Sequence, residues 1–199
     1  MKKYIALTTI LIILDQWSKI YVKTHFILGE EIVVFDWFRI HFIENNGAAW
    51  GAEIGGSWGK LALTIFRIFA VGGIFYWLFK SVSEKAPRVL LIAISFILAG
   101  AMGNIIDSVW YGVIFDHSHG QVATLFSGEP YGKLFYGKVV DMLYFPMWRG
   151  FLPDWLPIVG GRHFTFFNAI FNLADSAIFL GMVLLILFNK TVFPAKKAA

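Results

Sequence analysis

The stretch FNAIFNLADSAIFLGMVLLILF, Phe167 to Phe188, constrains this chain more than any other. It has the length and apolarity of a bilayer-crossing helix, which takes about 20 residues. Yet it carries Asn168, Asn172 and Asp175. On a helix these positions, i, i+4 and i+7, share one face, and Phe, Ile, Leu, Val and Ala cover the others. A carboxyl group in a membrane helix is costly, faces the protein interior and marks a functional site. The rest of the chain is therefore expected to supply a partner for Asp175.

Composition agrees with a membrane setting. The 199 residues are 58% hydrophobic and 18% aromatic, with a mean hydropathy of +0.67, too apolar for an ordinary soluble domain. We expect a mostly α membrane protein forming a single domain over residues 1–199. Four transmembrane helices are expected, at about 4–24, 59–79, 89–111 and 167–189. The absence of cysteine excludes disulfides, thiol nucleophiles and cysteine metal sites. The net charge of +4 is spread along the chain and flanks hydrophobic runs, so it is no nucleic-acid signal.

The spans carry more polar groups than a lipid anchor needs. The first run contains Asp15 and Lys19 and lacks a small-residue cleavage site, so it reads as an uncleaved span rather than a signal peptide. Asp15 and Lys19 have ion-pair spacing on one helical face. The alternative is a pair near the membrane edge with Lys19 snorkelling. Arg67 lies near the middle of the second span and is expected to pair with Asp15 or Asp107, because a lone charge there is costly. In AGAMGNIID of the third span, Gly100, Asn104 and Asp107 fall on one face. The simplest packing turns this Asn-Asp stripe toward that of the fourth span.

Two segments lie outside the spans. Phe26 to Gly51 is rich in β-branched and aromatic residues and approaches period two in IHFIE, which predicts strands in a small extracytoplasmic β-sheet at the membrane surface. It ends in the turn signal NNGAAWG. The loop from about Gly112 to Thr165 is long and aromatic, which predicts packing rather than disorder. Within it, KVVDMLYF is a strand-like run interrupted by Asp141. Lys2, Lys3, Lys80, Lys85, Arg88, Lys190, Lys196 and Lys197 gather on one side of a four-span chain against the single acid Glu84. The positive-inside rule makes the termini cytoplasmic. The Asp141 segment then lies outside, which is the periplasmic face if the source is Gram-negative.

Asp141 and Asp175 are the carboxylates best placed for chemistry. Two carboxyls at one site share a proton, and such a pair can activate water with one member and protonate with the other. Spacing equally allows each Asp to cap a helix or satisfy neighbouring amides. His25, His41, His117, His119 and His163 are scattered. Only His117-Ser118-His119 has the form of a metal pair, and a polar loop tip explains it as well. No HExxH helix, Gly-rich phosphate loop or serine-triad pattern is present. A proton-coupled transporter or a non-catalytic membrane scaffold remains open on these observations, though no repeat of the kind transporters use is visible.

DQWSK (Asp15 to Lys19), ENNGAAWG (Glu44 to Gly51), AGAMGNIID (Ala99 to Asp107), VVDM (Val139 to Met142) and FNLADSAI (Phe171 to Ile178) occur in that order. This resembles the lipoprotein signal peptidase (signal peptidase II) family across nearly the whole chain. The resemblance implies a four-span aspartyl protease with an outer β-cradle and catalytic Asp141 and Asp175. It implies site-supporting roles for Asn45, Asn104, Asp107 and Asn172, and a structural role for Asp15 and Lys19. It further implies cleavage of prolipoprotein signal peptides just before a diacylglyceryl-cysteine at the inner membrane, by a monomer with no metal or other cofactor. Membrane lipid is then the other partner. Ser108 stands where the family carries Arg, so Arg67 or Arg149 is expected to take that place. The Asp116–Lys138 stretch is longer than short family members need.

Overall fold

The computed structural model describes residues 1–46 and 56–193. Residues 47–51 of the NNGAAWG turn, Trp50 among them, and the last residues of the basic tail lie outside the described residues. Helix α1 (Lys2–Lys23) leads into strands β1 (Glu31–Phe35) and β2 (Phe38–Asn45), then helices α2 (Gly56–Ser83) and α3 (Arg88–Ile106). Helix α3 continues through a π-helical stretch, Asp107–Tyr111, into a last turn, α4 (Gly112–Ile114). Strand β3 (Val139–Tyr144), hairpin β4 (Trp148–Phe151) and β5 (His163–Phe166), strand β6 (Ile170–Phe171), and helices α5 (Leu173–Leu187) and α6 (Asn189–Val192) follow.

Among the described residues, three helices are long and apolar enough to cross a membrane: Lys2–Lys23, Trp58–Ser83 and Arg88–Ile114. They match the first three expected spans. Their outward side chains are apolar, with Trp17, Phe66, Phe69 and Tyr76 each well exposed, as lipid-facing surfaces require.

The final apolar stretch departs from expectation. Its helix starts at Leu173 and spans 15 residues, about 22 Å at 1.5 Å per residue and short of a hydrocarbon core of about 30 Å. Asn168, Asn172 and Asp175 therefore do not share a helical face. Asn172 is extended (φ −125°, ψ −179°) and acts as the N-cap. Its side chain offers the backbone an alternative to helical pairing, the property that favours Asn at caps. Just upstream, Ile170–Phe171 pair with Leu143 and Tyr144 as a sheet edge.

The main sheet is antiparallel in the order β1-β2-β3-β6, with β4–β5 a separate hairpin inserted between β3 and β6. Both expected strand regions are present. One core packs at the sheet end around Phe42, Tyr111, Phe115, Val140 and Met142. A second packs at the opposite end around Tyr4, Leu78, Leu90, Leu98 and Val192. Helices α3 and α5 approach closely because Gly100 has no side chain: a Cβ there would strike the carbonyl oxygen of Ala174. The long loop is packed, as its aromatics predicted. Gly132 donates its N–H to Gly112 O at 2.8 Å, and Gly137 donates to Ser108 O at 2.9 Å, where the π-helical stretch presents carbonyls.

Candidate active site

The C-terminal ends of α1 and α3 and the start of α5 meet β3 at the sheet end. Lys19 sits at this junction with no exposed side-chain surface. Its ammonium has three N–H donors and three partners: Asp15 Oδ2 at 3.0 Å, Asp107 Oδ2 at 2.8 Å and Asn104 Oδ1 at 2.9 Å. The snorkelling alternative is thereby excluded, and Lys19 faces the interior.

Both acids do more than neutralise Lys19. Asp15 Oδ1 accepts the N–H of Ala174 at 2.8 Å, in the first turn of α5, where a carboxylate also complements the helix dipole. Asp107 Oδ2 accepts the N–H of Val140, beside Asp141, at 3.3 Å. Gln16 completes the cluster, with Nε2 donating to Asp107 Oδ1 at 2.9 Å and Asp15 Oδ2 at 3.1 Å. Tyr111 donates its hydroxyl to Gln16 Oε1 at 3.1 Å. Gln16 was missed in the sequence reading, though its place beside Asp15 in DQWSK was a usable signal.

Asn172 joins the two candidate carboxylates. Its Nδ2 donates to Asp141 Oδ1 at 2.7 Å and to Asn104 Oδ1 at 3.1 Å. Its Oδ1 accepts the backbone N–H of Asp175 at 2.9 Å, and its own N–H donates to Asp175 Oδ2 at 3.3 Å, a reciprocal capping box. Asn104 Nδ2 donates to Asp175 Oδ1 at 2.8 Å. Asn45 Nδ2 donates to Asp141 Oδ2. Asp175 thus caps its helix, and Asn172, its capping partner, also bonds Asp141. All eight residues singled out, Asp15, Lys19, Asn45, Asn104, Asp107, Asp141, Asn172 and Asp175, fall in one connected network.

Asp141 is nearly buried, at 3% exposure. Burial, and next the charge of Asp175, push its carboxyl up to about 7, against the hydrogen bond from Asn172, the charge of Lys19 and the hydrogen bond from Asn45. Arg67 did not take the expected partners: Asp15 and Asp107 are engaged by Lys19, and the carboxylate whose charge acts on Arg67 is Asp175. Arg149 packs over the Tyr144 ring and donates to its hydroxyl at 3.1 Å. Ser108, in the place of the family Arg, returns its hydroxyl to Asn104 O at 2.8 Å. His117 and His119 are exposed in a loop, as a polar loop tip requires, while Ser118 between them turns inward and is buried.

Fold and site together define a helical membrane protein with two carboxylates, Asp141 and Asp175, bridged by Asn172 where its bundle meets a small sheet. The family model described as Signal peptidase (SPase) II matches residues 7–190. A lipoprotein signal peptidase from Porphyromonas gingivalis is 49% identical over 190 residues, covering 94% of this chain and 83% of the relative. One from Amoebophilus asiaticus is 35% identical over 192 residues, covering 93% and 76%. A solved bacterial membrane enzyme at 25% identity aligns over 100% of this chain and 95% of its own, with a TM-score of 0.61. The chain belongs to the signal peptidase II family, and it is accordingly a membrane protease.

The Lys19 cluster has a stability consequence. Lys19→Met would leave Asp15 and Asp107 buried without their cation, and such loss of one partner costs about 3–5 kcal/mol. We expect a clear drop in melting temperature of the detergent-solubilised protein. An unchanged melting curve would contradict the assignment.

Proposed function

We propose that this protein is an intramembrane aspartyl endopeptidase that removes signal peptides from prolipoproteins, cleaving just before the diacylglyceryl-modified cysteine. Asp141 and Asp175 are its catalytic residues, with Asn45, Asn104, Asp107 and Asn172 supporting the site and Asp15 and Lys19 holding the structure. The observation that carries this reading is Asn172, which hydrogen-bonds Asp141 through its side chain and Asp175 through its capping box. A transporter or scaffold gives no reason for two carboxylates linked in this way beside a strand.

The chemistry follows from the asymmetry of the pair. Asp141, pushed up to about 7, is the member that holds the shared proton, and Asp175 acts as the base. Asp175 takes a proton from water as the water oxygen attacks the scissile carbonyl carbon, while Asp141 protonates the carbonyl oxygen. Collapse of the tetrahedral intermediate breaks the C–N bond, and a proton passes to the leaving amine of the lipidated cysteine. The bilayer confines both the signal helix and the diacylglycerol, which favours their alignment with the pair. We place α5 across the membrane as a fourth, short span, with both termini cytoplasmic and the pair near the periplasmic face of the inner membrane. The protein acts as a monomeric single domain and needs no metal. Arg67 takes the place of the family Arg.

Asp141→Asn and Asp175→Asn are each expected to lower cleavage of a lipidated substrate by at least ~10²-fold with the fold retained, the lower end for removing a general acid–base group. Near-wild-type turnover in either variant would sink the assignment.

The pH profile has a defined sign. The active form carries a proton on Asp141, so activity is present below about 7 and is lost as pH rises through that value. The same raised value makes this group's contribution to stability fall as pH rises, from about 4, the ordinary Asp value, to about 7. Rate measurements from pH 5 to 9 test this, and a rate that rises steadily to pH 9 would refute it.

The outer segments, the described part of Phe26–Gly51 and Gly112–Thr165, form a cradle and lid around Asp141, with Trp and Phe side chains resting on the membrane surface. Support comes from β2 and β3 bracketing the site and from exposed Trp37, Trp148 and Trp155. Lids of this kind admit substrate and complete a site. A lipopeptide inhibitor is expected to slow hydrogen exchange there more than in the Lys80–Arg88 loop. Equal protection in all three segments would count against a lid.

A further inference from the structure

A second buried charge cluster lies on the opposite face of the sheet from the carboxylate pair. Side chains alternate along β2, so Glu44 points away from the face that presents Asn45 to Asp141. The side chain of Glu44 is 3% exposed and that of Lys23 is fully buried. The two form an ion pair. Lys23 Nζ also donates to Ser118 Oγ at 2.9 Å, and Ser118 Oγ donates to Glu44 Oε1 at 3.2 Å. Lys138 Nζ reaches Glu44 Oε2 at 3.3 Å. The ammonium of Lys23 further lies 4.9 Å from the ring centre of Tyr131 and 5.2 Å from that of Phe115. The Tyr131 hydroxyl accepts the backbone N–H of Lys138 at 2.7 Å. Against burial, which would raise it, the charges of Lys23 and then Lys138 hold the Glu44 carboxyl below its ordinary range.

The cluster is therefore closed by the Asp116–Lys138 stretch, which contributes Ser118, Tyr131 and Lys138. It grips β2 and β3 at adjacent positions. Glu44 is opposite Val140, Asn45 is opposite Val139, and Asp141 is opposite Ile43, with an irregularity in register just before, between Ile40 and Ile43. A strand with such an irregularity needs an anchor, because a one-residue slip sends every side chain to the other face. Such a slip would turn Asn45 away from Asp141.

We infer that Glu44 is a positioning residue for Asp141, clamped by Lys23, Ser118 and Lys138 and acting through Asn45, and that the Asp116–Lys138 stretch serves to close this clamp. The inference rests on the proposed role of Asp141. Among the described residues, the groups acting on that carboxyl include Asp175 and Asn172 from α5 and its cap, Lys19 from α1, and Asn45 from β2. Asp107 from α3 holds the adjoining Val140 N–H. Of these, the Asn45 contact is the one that comes from the strand bearing Glu44. Losing that donor favours the protonated form of Asp141, so the alkaline limb of activity moves to higher pH.

The test compares Glu44→Gln, Asn45→Ala and the double variant, each in the full chain, with cleavage of a lipidated substrate measured from pH 5 to 9. Glu44→Gln is expected to lower kcat roughly 10-fold, as misplacing a supporting group does, to leave KM near wild type, and to shift the alkaline limb upward. Asn45→Ala is expected to do the same, and the double variant to be no worse than Asn45→Ala alone. Independent multiplication of the two effects, or an unshifted limb in Glu44→Gln, would overturn the inference. If Glu44→Gln fails to fold, Ser118→Ala removes one hydrogen bond from Lys23 and is expected to shift the limb in the same direction by less. An unshifted limb there overturns the inference equally. Asp141→Asn serves as the separate control: retained turnover in that variant would refute the carboxylate pair itself, whereas an inactive Asp141→Asn beside additive Glu44 and Asn45 effects would refute only the clamp.

Discussion

The placement of one ammonium group, Lys19, organises the rest of this molecule. Moving a lysine out of water costs several kcal/mol even after relaxation, and Lys19 is fully buried where three helices and a sheet converge. The arrangement is tolerable because its three donors meet three acceptors, two of them charged. Each acceptor is committed in turn to another element. Asp15 holds the first turn of α5, Asp107 holds β3, and Asn104 holds Asp175. Satisfying the cation therefore fixes the relative positions of the parts that bear both candidate carboxylates.

This arrangement explains why the last apolar stretch is divided between a strand and a helix. A helix begun at Phe167 would carry Asn172 in its interior and leave Asp175 without its capping partner. With the start delayed to Leu173, Asn172 is free to cap, to meet Asn104 and to reach Asp141. Residues Ile170–Phe171 become the strand that closes the sheet on β3. The shorter helix packs tightly on α3 because Gly100 admits the Ala174 carbonyl, and Gly103 leaves room for the Asp15 carboxylate.

The sheet has two faces with different tasks. On one, Asn45 and Asp141 meet the helix ends. On the other, Phe42, Val140 and Met142 pack with Tyr111 and Phe115, and the Lys23–Glu44 pair is set among them. Asp15, Lys19 and Lys23 follow one another at four-residue intervals along α1. A single helical stripe thus serves both faces, through different partners at successive turns.

Much of this was legible in the residues alone. Hydropathy and length identified three long helices, period-two alternation identified β2, and the apolar run KVVDMLYF identified the strand bearing Asp141. These are local properties that need no knowledge of packing. Polar residues in apolar surroundings marked Asp15, Lys19, Asn104, Asp107, Asn172 and Asp175 as members of a site, because burying each demands a partner. The four-residue spacing of Asp15 and Lys19 indicated that one pair, but the identity of the long-range partners was not legible. Arg67 was expected to meet Asp15 or Asp107, which Lys19 already occupies. Gln16 carries no pattern of its own, nothing local marks Ser118 as the buried member of its loop tip, and the expected start of the last helix falls six residues early. All four depend on hydrogen bonds of about 3 Å between residues far apart in the chain, and such distances exist only once glycines have let the helices close and the sheet has found its register. The sequence by itself determined which groups must be buried and paired. Tertiary structure alone decided which long-range pairs form, because helical period and hydropathy carry no information about what lies opposite.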